Sequence, residues 1–439
     1  MTRTFPLETE KDSSFAFFFL FLYTISVLIR PHEMWAVSVE WITVQVFAII
    51  AFAAVLATQR PLKIYPHQWM LTLILPLIVI SGFLNGSGMD GVEEAQKLFS
   101  SSIIPFFLFT TCITSLKRQH WLMILCIVAA LCMVYNGHVQ QTSYLNYGWA
   151  LDTHALVAHN GDIRITYLGF FNDPNDIGMF LVMNIPFVFY FYNKGIFPTK
   201  LLMLVILTAI GYGIYLTGSR GTLLGAGALL GVYYLVVNAG PKLFVIAAAL
   251  APIAAVTLTS LQSNIDESAN QRLEAWYEGI LMLLHNPIFG VGKGEFMEHH
   301  GRVAHNSYIQ IAAELGIPGY SLWGGALIFT VLTGYLIIKA TKQKNDNKEE
   351  ISVECQDELT MNKTLFFSMM GFMITAFFIT RTYTLTLFIF LGMALASHIR
   401  LVKLMPEFEQ YFTNKLALRS MIYCWVLIIA VYLALKVGL

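Results

Sequence analysis

An all-α bundle of about 12–13 membrane-spanning helices, with a large external loop carrying short helices, is the fold class this sequence predicts. Three observations predict it. Of 439 residues, 56% are hydrophobic and only 12% charged, against about 25% charged in a soluble globular chain. The apolar residues fall in blocks of roughly 16–24, long enough to cross a bilayer as helices. Lysine and arginine are divided unevenly between alternate loops, as the orientation of a multi-span protein requires.

In chain order, thirteen candidate spans lie near 15–29, 35–57, 69–84, 98–115, 121–136, 176–192, 201–216, 222–238, 243–261, 317–338, 364–379, 383–399 and 420–436. The polar start (Arg3, Glu8, Glu10, Lys11, Asp12) leads to an apolar run from Phe15 with no small-residue cleavage site after it. That run reads as a retained helix and not as a removed signal peptide. One set of alternate loops holds eighteen Lys and Arg, including Arg60 and Lys63. The other holds nine: Arg30, Lys97, Arg164, Arg220, Arg272, Lys293, Arg302, Arg381 and Lys436. The richer set is expected in the cytoplasm, with the N-terminus inside and the long loops 137–175 and 262–316 outside.

The chain then divides into N-terminal spans (1–136), a core holding both long loops (137–340), a cytoplasmic loop (341–363) and C-terminal spans (364–439). Of the five cysteines, Cys112, Cys126, Cys132 and Cys424 lie in candidate spans and Cys355 in a charged loop, so none is placed to brace an external loop. The net charge of zero carries no information on partners, because the asymmetry lies between loops. The bilayer is the expected partner, with no nucleic acid.

Three stretches carry candidate chemistry. In "YLTGSRGTLLGAGALLG", Arg220 sits in a tight turn between spans, flanked by Gly218 and Gly221, which let a ligand approach the backbone. Gly225 and Gly227 make one face of the next helix small. An arginine snorkelling to lipid headgroups is the alternative. In "SANQRLEAWYEGILMLLHNPIFGVGKGEF", Ser268 and Gln271 have capping-box spacing and place a helix start near Ala269. Leu273, Trp276, Tyr277, Ile280, Leu281 and Leu284 form its apolar stripe. Arg272 then falls in the first turn, where a cation opposes the helix dipole, as it would if serving an anionic ligand; a surface arginine is the alternative.

In "HNSYIQIAAELGIPG", Ser307 and Gln310 again have capping-box spacing, Gly316 suits a C-cap and Pro318 stops continuation. His305 and Asn306 precede a short helix from Tyr308 to Leu315. A helix N-terminus keeps a nearby imidazole neutral, as a general base must be; a structural histidine is the alternative. Glu295, Glu298, His299, His300 and His305 crowd together, but their spacing matches no metal-ligand pattern. The glycine-rich "FGVGKGEF" lacks the P-loop pattern. In "RITYLGFFNDPNDIG", Arg164 precedes a turn rich in Asn and Asp that leads into a span.

Taken in order, the Gly-Ser-Arg-Gly turn, the Arg-x-x-x-Trp helix followed by "NPIFGVGKGEF", and "HNSYIQIAAELGIPG" resemble the O-antigen ligase / O-antigen polymerase superfamily of bacterial envelope glycosyltransferases. The resemblance covers Arg164 to Gly319, about a third of the chain. It implies an inner-membrane, multi-pass enzyme with a periplasmic site. Such an enzyme takes glycan from an undecaprenyl-diphosphate carrier, with no cofactor, metal or nucleotide. The acceptor hydroxyl belongs to lipid A–core in ligases and to a second lipid-linked glycan in polymerases. In related oligosaccharyltransferases it belongs to a protein. By position, Arg220 and Arg272 match the family's diphosphate-contacting arginines and His305 its essential histidine. Arg164, Asn306, Gly218, Gly221 and Trp276 are the expected substrate contacts. A lipid-linked sugar transporter or flippase is the rival, but transporters bury ionisable groups near mid-membrane, whereas these candidates gather at one face.

Overall fold

Ser13 starts the first helix: its hydroxyl accepts from the Ala16 amide at 3.1 Å, satisfying one of the donors that a helix start leaves open. In the computed structural model, residues 13–35, 37–38, 40–58, 64–150, 153–157, 161–239, 241–263 and 267–438 are described. The polar start with Arg3 and Lys11 lies outside them, as do Arg60 and Lys63.

The helices in chain order are α1 (Ser14–Leu28), α2 (Thr43–Thr58), α3 (Pro66–Leu84), α4 (89–112) and α5 (Leu116–Thr142). A short antiparallel pair follows, β1 (Leu156–Val157) and β2 (Ile163–Arg164), with Leu156 opposite Arg164. Then come α6 (Pro174–Lys194), α7 (Phe197–Leu216), α8 (Arg220–Asn238), α9 (Pro241–Ser263), α10 (Glu267–His285) and α11 (Phe296–His300). The chain closes with α12 (Ser307–Asp346), α13 (Val353–Thr375), α14 (Leu385–Leu404) and α15 (Asn414–Lys436).

The protein is an all-α, polytopic membrane protein. Among the described residues, seven helices are long and apolar enough to cross a bilayer by length and composition: α3, α5, α7, α8, α12, α14 and α15. Shorter apolar helices occupy Ser14–Leu28, Thr43–Thr58 and Ile246–Leu261. Thirteen blocks were expected, and these seven are the helices that qualify by length and composition alone. Residues 35, 37, 38 and 40–42 lie outside α2, with Trp35 and Trp41 exposed, so the expected 35–57 span shrinks. Helices α6 and α13 have the length but carry Asp176 and Asn184, and Glu354, Asp357 and Glu358, respectively.

Burial separates the centre from the rim. In α14, 83% of the apolar window is buried inside the protein, and in α12 72%, against 28% in α8 and 33% in α7. Helix α6 packs along α13, α13 along α14, and α14 along α4. Small residues allow these approaches, as expected where lipid offers no hydrophobic drive between helices. At Gly392 of α14, an added Cβ would lie 2.5 Å from Phe109 Cβ of α4. At the far end of α14, Arg400 donates to both Glu358 carboxylate oxygens (2.6 and 3.2 Å) and to Ile113 O (2.8 Å).

Helix α12 is broken. Pro318 does not end it, as the sequence suggested; the chain turns at Gly316 (φ 64°, ψ −160°) and resumes. The glycine-rich stretch seals the break. Val291 and Gly292 donate to the carbonyls of Ala313 and Glu314, each at 2.9 Å, and Ile317 donates to Pro287 O at 2.7 Å. Gly290 (φ 65°) permits this seal, since a Cβ there would sit 2.3 Å from the Glu314 carbonyl carbon. The first segment of α12 is thereby fixed, with its N-terminus at the end of the bundle where α7 and α13 finish and α6 and α8 begin.

Candidate functional site

The turn between α7 and α8 is built by its own polar atoms. Gly218 takes φ 58°. The Ser219 amide donates to Thr217 Oγ1 (3.2 Å), and Ser219 caps α8 by accepting from the Thr222 amide (3.2 Å). Arg220 is the first residue of α8 and is exposed. An anion there would meet both the guanidinium and the positive end of a helix dipole. The Ser219 hydroxyl donates to Asn175 Oδ1 at 2.6 Å, tying the turn to the start of α6.

Arg164 joins this turn. Its Cγ, Nε and Cδ lie 3.3–3.6 Å from where a Gly218 Cβ would stand. The Ile165 amide reaches Leu216 O (3.4 Å), so β2 lies against the end of α7. The Arg164 Nε is buried and without a hydrogen-bond partner among the described residues. Gly221 serves packing, not ligand approach: its Cβ position is 2.8 Å from Phe378 Cβ. Gly225 packs on Thr375 in the same way, whereas Gly227 faces open space.

His305 is held on both sides. Its own backbone is left-handed (φ 49°), an uncommon state for a residue with a Cβ. Before it, Ala304 O accepts the indole N–H of Trp276 at 2.9 Å. Trp276 is fully buried, edge-on to Phe377 at 5.2 Å, so it positions His305 and has no face open to a ligand. After it, Asn306 caps α12, accepting from Tyr308 N (3.0 Å) and Ile309 N (3.1 Å). Asn306 Nδ2 is left buried without a partner among the described residues. The cap is therefore Asn306, not Ser307. Gln310 closes no capping box; its Nε2 donates to Glu314 Oε1 at 2.7 Å.

Burial, and then the nearby Arg272 guanidinium, bring the His305 pKa down to about 4; Arg381 and Arg302 act in the same direction and Asp173 opposes them. The imidazole is neutral at neutral pH, as the sequence suggested, but desolvation and neighbouring cations are the main cause. Arg272 also stands differently from its sequence placement. Helix α10 begins at Glu267, which moves Arg272 out of the first turn and removes the dipole argument. Leu273, Trp276 and Ile280 are buried against α12, while Tyr277 and Leu284 are exposed, so the apolar stripe is narrower than its spacing implied. The side chain of Ser268, the expected cap, lies outside the described residues.

Two groups connect the halves of the site. Arg381, in the turn after α13, grips both carboxylate oxygens of Asp176 in the first turn of α6, through Nε to Oδ1 and Nη2 to Oδ2 (2.6 Å). Its main-chain amide donates to Ser307 Oγ at 2.8 Å. A chain of contacts thus runs from Arg164 and Arg220 through Asn175 and Asp176 to Arg381, Ser307 and His305. Sequence reasoning had not placed this pair in the site. Arg381 was nonetheless among the nine cations of the poorer loop set, and Asp176 was in the Asn/Asp turn. Among the described residues, no group of three or more His, Cys, Asp and Glu is arranged to hold a metal ion.

These observations define a multi-span membrane protein in which Arg164, Arg220, Arg272, Arg381 and a neutral His305 lie toward one end of the bundle. Residues 202–324 match the family model described as Wzy_C, O-antigen ligase. This part of the chain is similar to the O-antigen ligase family. It includes Arg220, Arg272 and His305, whereas Arg164, Asp176 and Arg381 lie outside it. No curated protein matches the chain.

Proposed function

We propose that the protein is a metal-independent, inverting glycosyltransferase of the bacterial inner membrane, working on the periplasmic side. Its donor is a glycan on an undecaprenyl-diphosphate carrier and its acceptor is a hydroxyl of lipid A–core or of a second lipid-linked glycan. The observation that carries the reading is a neutral His305 beside Arg272, linked through α6 to the Arg220 turn, inside the O-antigen ligase match. The bond from the anomeric carbon to phosphate breaks, and the electron pair leaves with the diphosphate. Arg220 and Arg272, with Arg164 over Gly218, hold that developing charge. The acceptor oxygen bonds the anomeric carbon from the opposite face while His305 takes its proton. The excess of Lys and Arg in the other loops supports this orientation, and 137–340, extended by the turn holding Arg381, is the functional core.

A broken helix beside a polar site is also a transporter feature. There, however, freed carbonyls line a path for the cargo. Here those of Ala313 and Glu314 are taken by Val291 and Gly292, which favours a fixed catalytic face over a moving gate.

Glycan analysis of a deletion strain tests the reading. Carrier-linked glycan is expected to accumulate: long chains for a ligase, and surface caps of a single repeat for a polymerase. Loss of glycan from a protein alone would assign the chain to protein O-glycosylation instead. Unaltered glycans would contradict all three.

A further inference from the structure

We propose that Asp176 and Arg381 are a positioning pair, which sets the place of His305 relative to the Arg220 turn by acting through Ser307 and without touching substrate. The inference rests on the glycosyltransferase reading above.

Ser307 is fully buried and stands two residues after His305. It is bound to the turn after α13 at four points. Its amide donates to Ala376 O (2.9 Å) and its hydroxyl to Ile379 O (2.6 Å). Its hydroxyl accepts from the Arg381 amide (2.8 Å), and its carbonyl from Thr382 Oγ1 (3.1 Å). Trp323 Nε1 secures the same turn at Thr382 O (2.9 Å), and Tyr308 OH secures the end of α13 at Met373 O (2.7 Å). The left-handed backbone of His305 persists because its neighbours leave it no alternative: Trp276 holds the preceding carbonyl and Ser307 the following helix.

The turn itself is tied to α6 by one ion pair. The Arg381 fork meets Asp176 side-on, and its Nη1 also donates to its neighbour's carbonyl, Thr380 O (2.9 Å). The Asp176 side chain is 2% exposed, so the carboxylate has no solvent to replace that partner. Asn175, the adjacent residue, holds Ser219 and hence the start of α8. One clamp on one helix end therefore fixes both the expected base and the expected anion holder. Its geometry is bidentate, which a lysine cannot reproduce.

The test compares Arg381→Lys, Asp176→Asn, Ser307→Ala and the double variant Arg381→Lys/Asp176→Asn in purified, folded protein. Each single variant is expected to lower kcat about 10–100-fold, as small misplacements of a reacting group do, with donor KM within about twofold of wild type. The double variant is expected to be no slower than its slower parent, because both changes break one clamp. Independently of turnover, acylation of His305 by diethyl pyrocarbonate, read by peptide mass spectrometry, should become several-fold faster in each folded variant. His299 and His300 serve as internal references and should react as in wild type. Wild-type kcat and His305 acylation in the folded variants, or losses that multiply in the double variant, would overturn the proposal. Where wild-type protein itself transfers no glycan, the functional reading fails, and the acylation rates alone decide this one.

Discussion

The indole N–H of Trp276 donates to the carbonyl of Ala304 at 2.9 Å, gripping the chain one residue before His305 from a helix that begins almost forty residues earlier. Trp276→Phe keeps most of the buried ring and deletes the donor. The Ala304 carbonyl is then left without that partner, at a cost of about 1–3 kcal/mol, and the left-handed residue beside it is freer to relax. Transfer activity is expected to fall about tenfold or more in kcat, with the fold intact by circular dichroism. Wild-type kcat in this variant would show that the contact serves packing only.

Arg220 and Arg272 are expected to act through charge and shape together. Replacing either with Ala should lower kcat by about 100–1,000-fold, the scale seen when one donor to a developing anion is removed. Lys should recover only part of this, because it keeps the charge and loses the planar fork. Steady-state kinetics with a carrier-linked glycan measure both. Full activity in the Lys variants would mean that point charge alone suffices.

The pH dependence has a defined sign. His305 accepts a proton only while neutral, and its pKa in the free protein is about 4 because of burial and the Arg272 charge. On the acid side, kcat/KM should therefore stay level down to near that value and then decline. An ordinary histidine would give a decline near pH 6.5. A bound diphosphate adds negative charge near the imidazole and favours its protonated form, so the acid limb of kcat should lie at higher pH than that of kcat/KM. Coincident limbs at pH 6.5 would indicate a solvated imidazole.

At the opposite end of α14, Glu358→Ala would leave the buried Arg400 without its carboxylate. The expected loss of stability is about 3–5 kcal/mol, measured by unfolding in detergent. The double change Glu358→Leu/Arg400→Met should recover most of it, since two apolar groups leave no unpaired charge. Equal destabilisation in both variants would show that packing, not charge, holds this end.

Composition and loop charge were enough for the membrane class, because the bilayer forces long apolar helices with closed backbone bonding. The same rule misjudged length where α2 gives way to a turn around Trp35 and Trp41. His305, Asn306 and Arg220 were legible because each abuts a helix start that local sequence marks. Capping chemistry was less legible: Ser307 had the spacing of a cap, but tertiary bonds to Ala376 and Ile379 claim it, and Asn306 caps instead. Arg381 and Asp176 stand 205 positions apart, and nothing in local periodicity reports such a pairing. Trp276 looked like a ligand contact because it shares a motif with Arg272, yet only the packing of α10 on α12 reveals that its ring is enclosed.

The most direct measurement is release of undecaprenyl diphosphate, with matching gain of glycan on the acceptor, by protein reconstituted in vesicles and supplied with carrier-linked glycan and acceptor hydroxyl. Wild-type protein is expected to release carrier and glycosylate acceptor in equal amounts, while His305→Ala, Arg220→Ala and Arg272→Ala, inserted and folded, do neither. Equal product from these three variants, or none from wild type with any of the acceptor classes, would contradict the account.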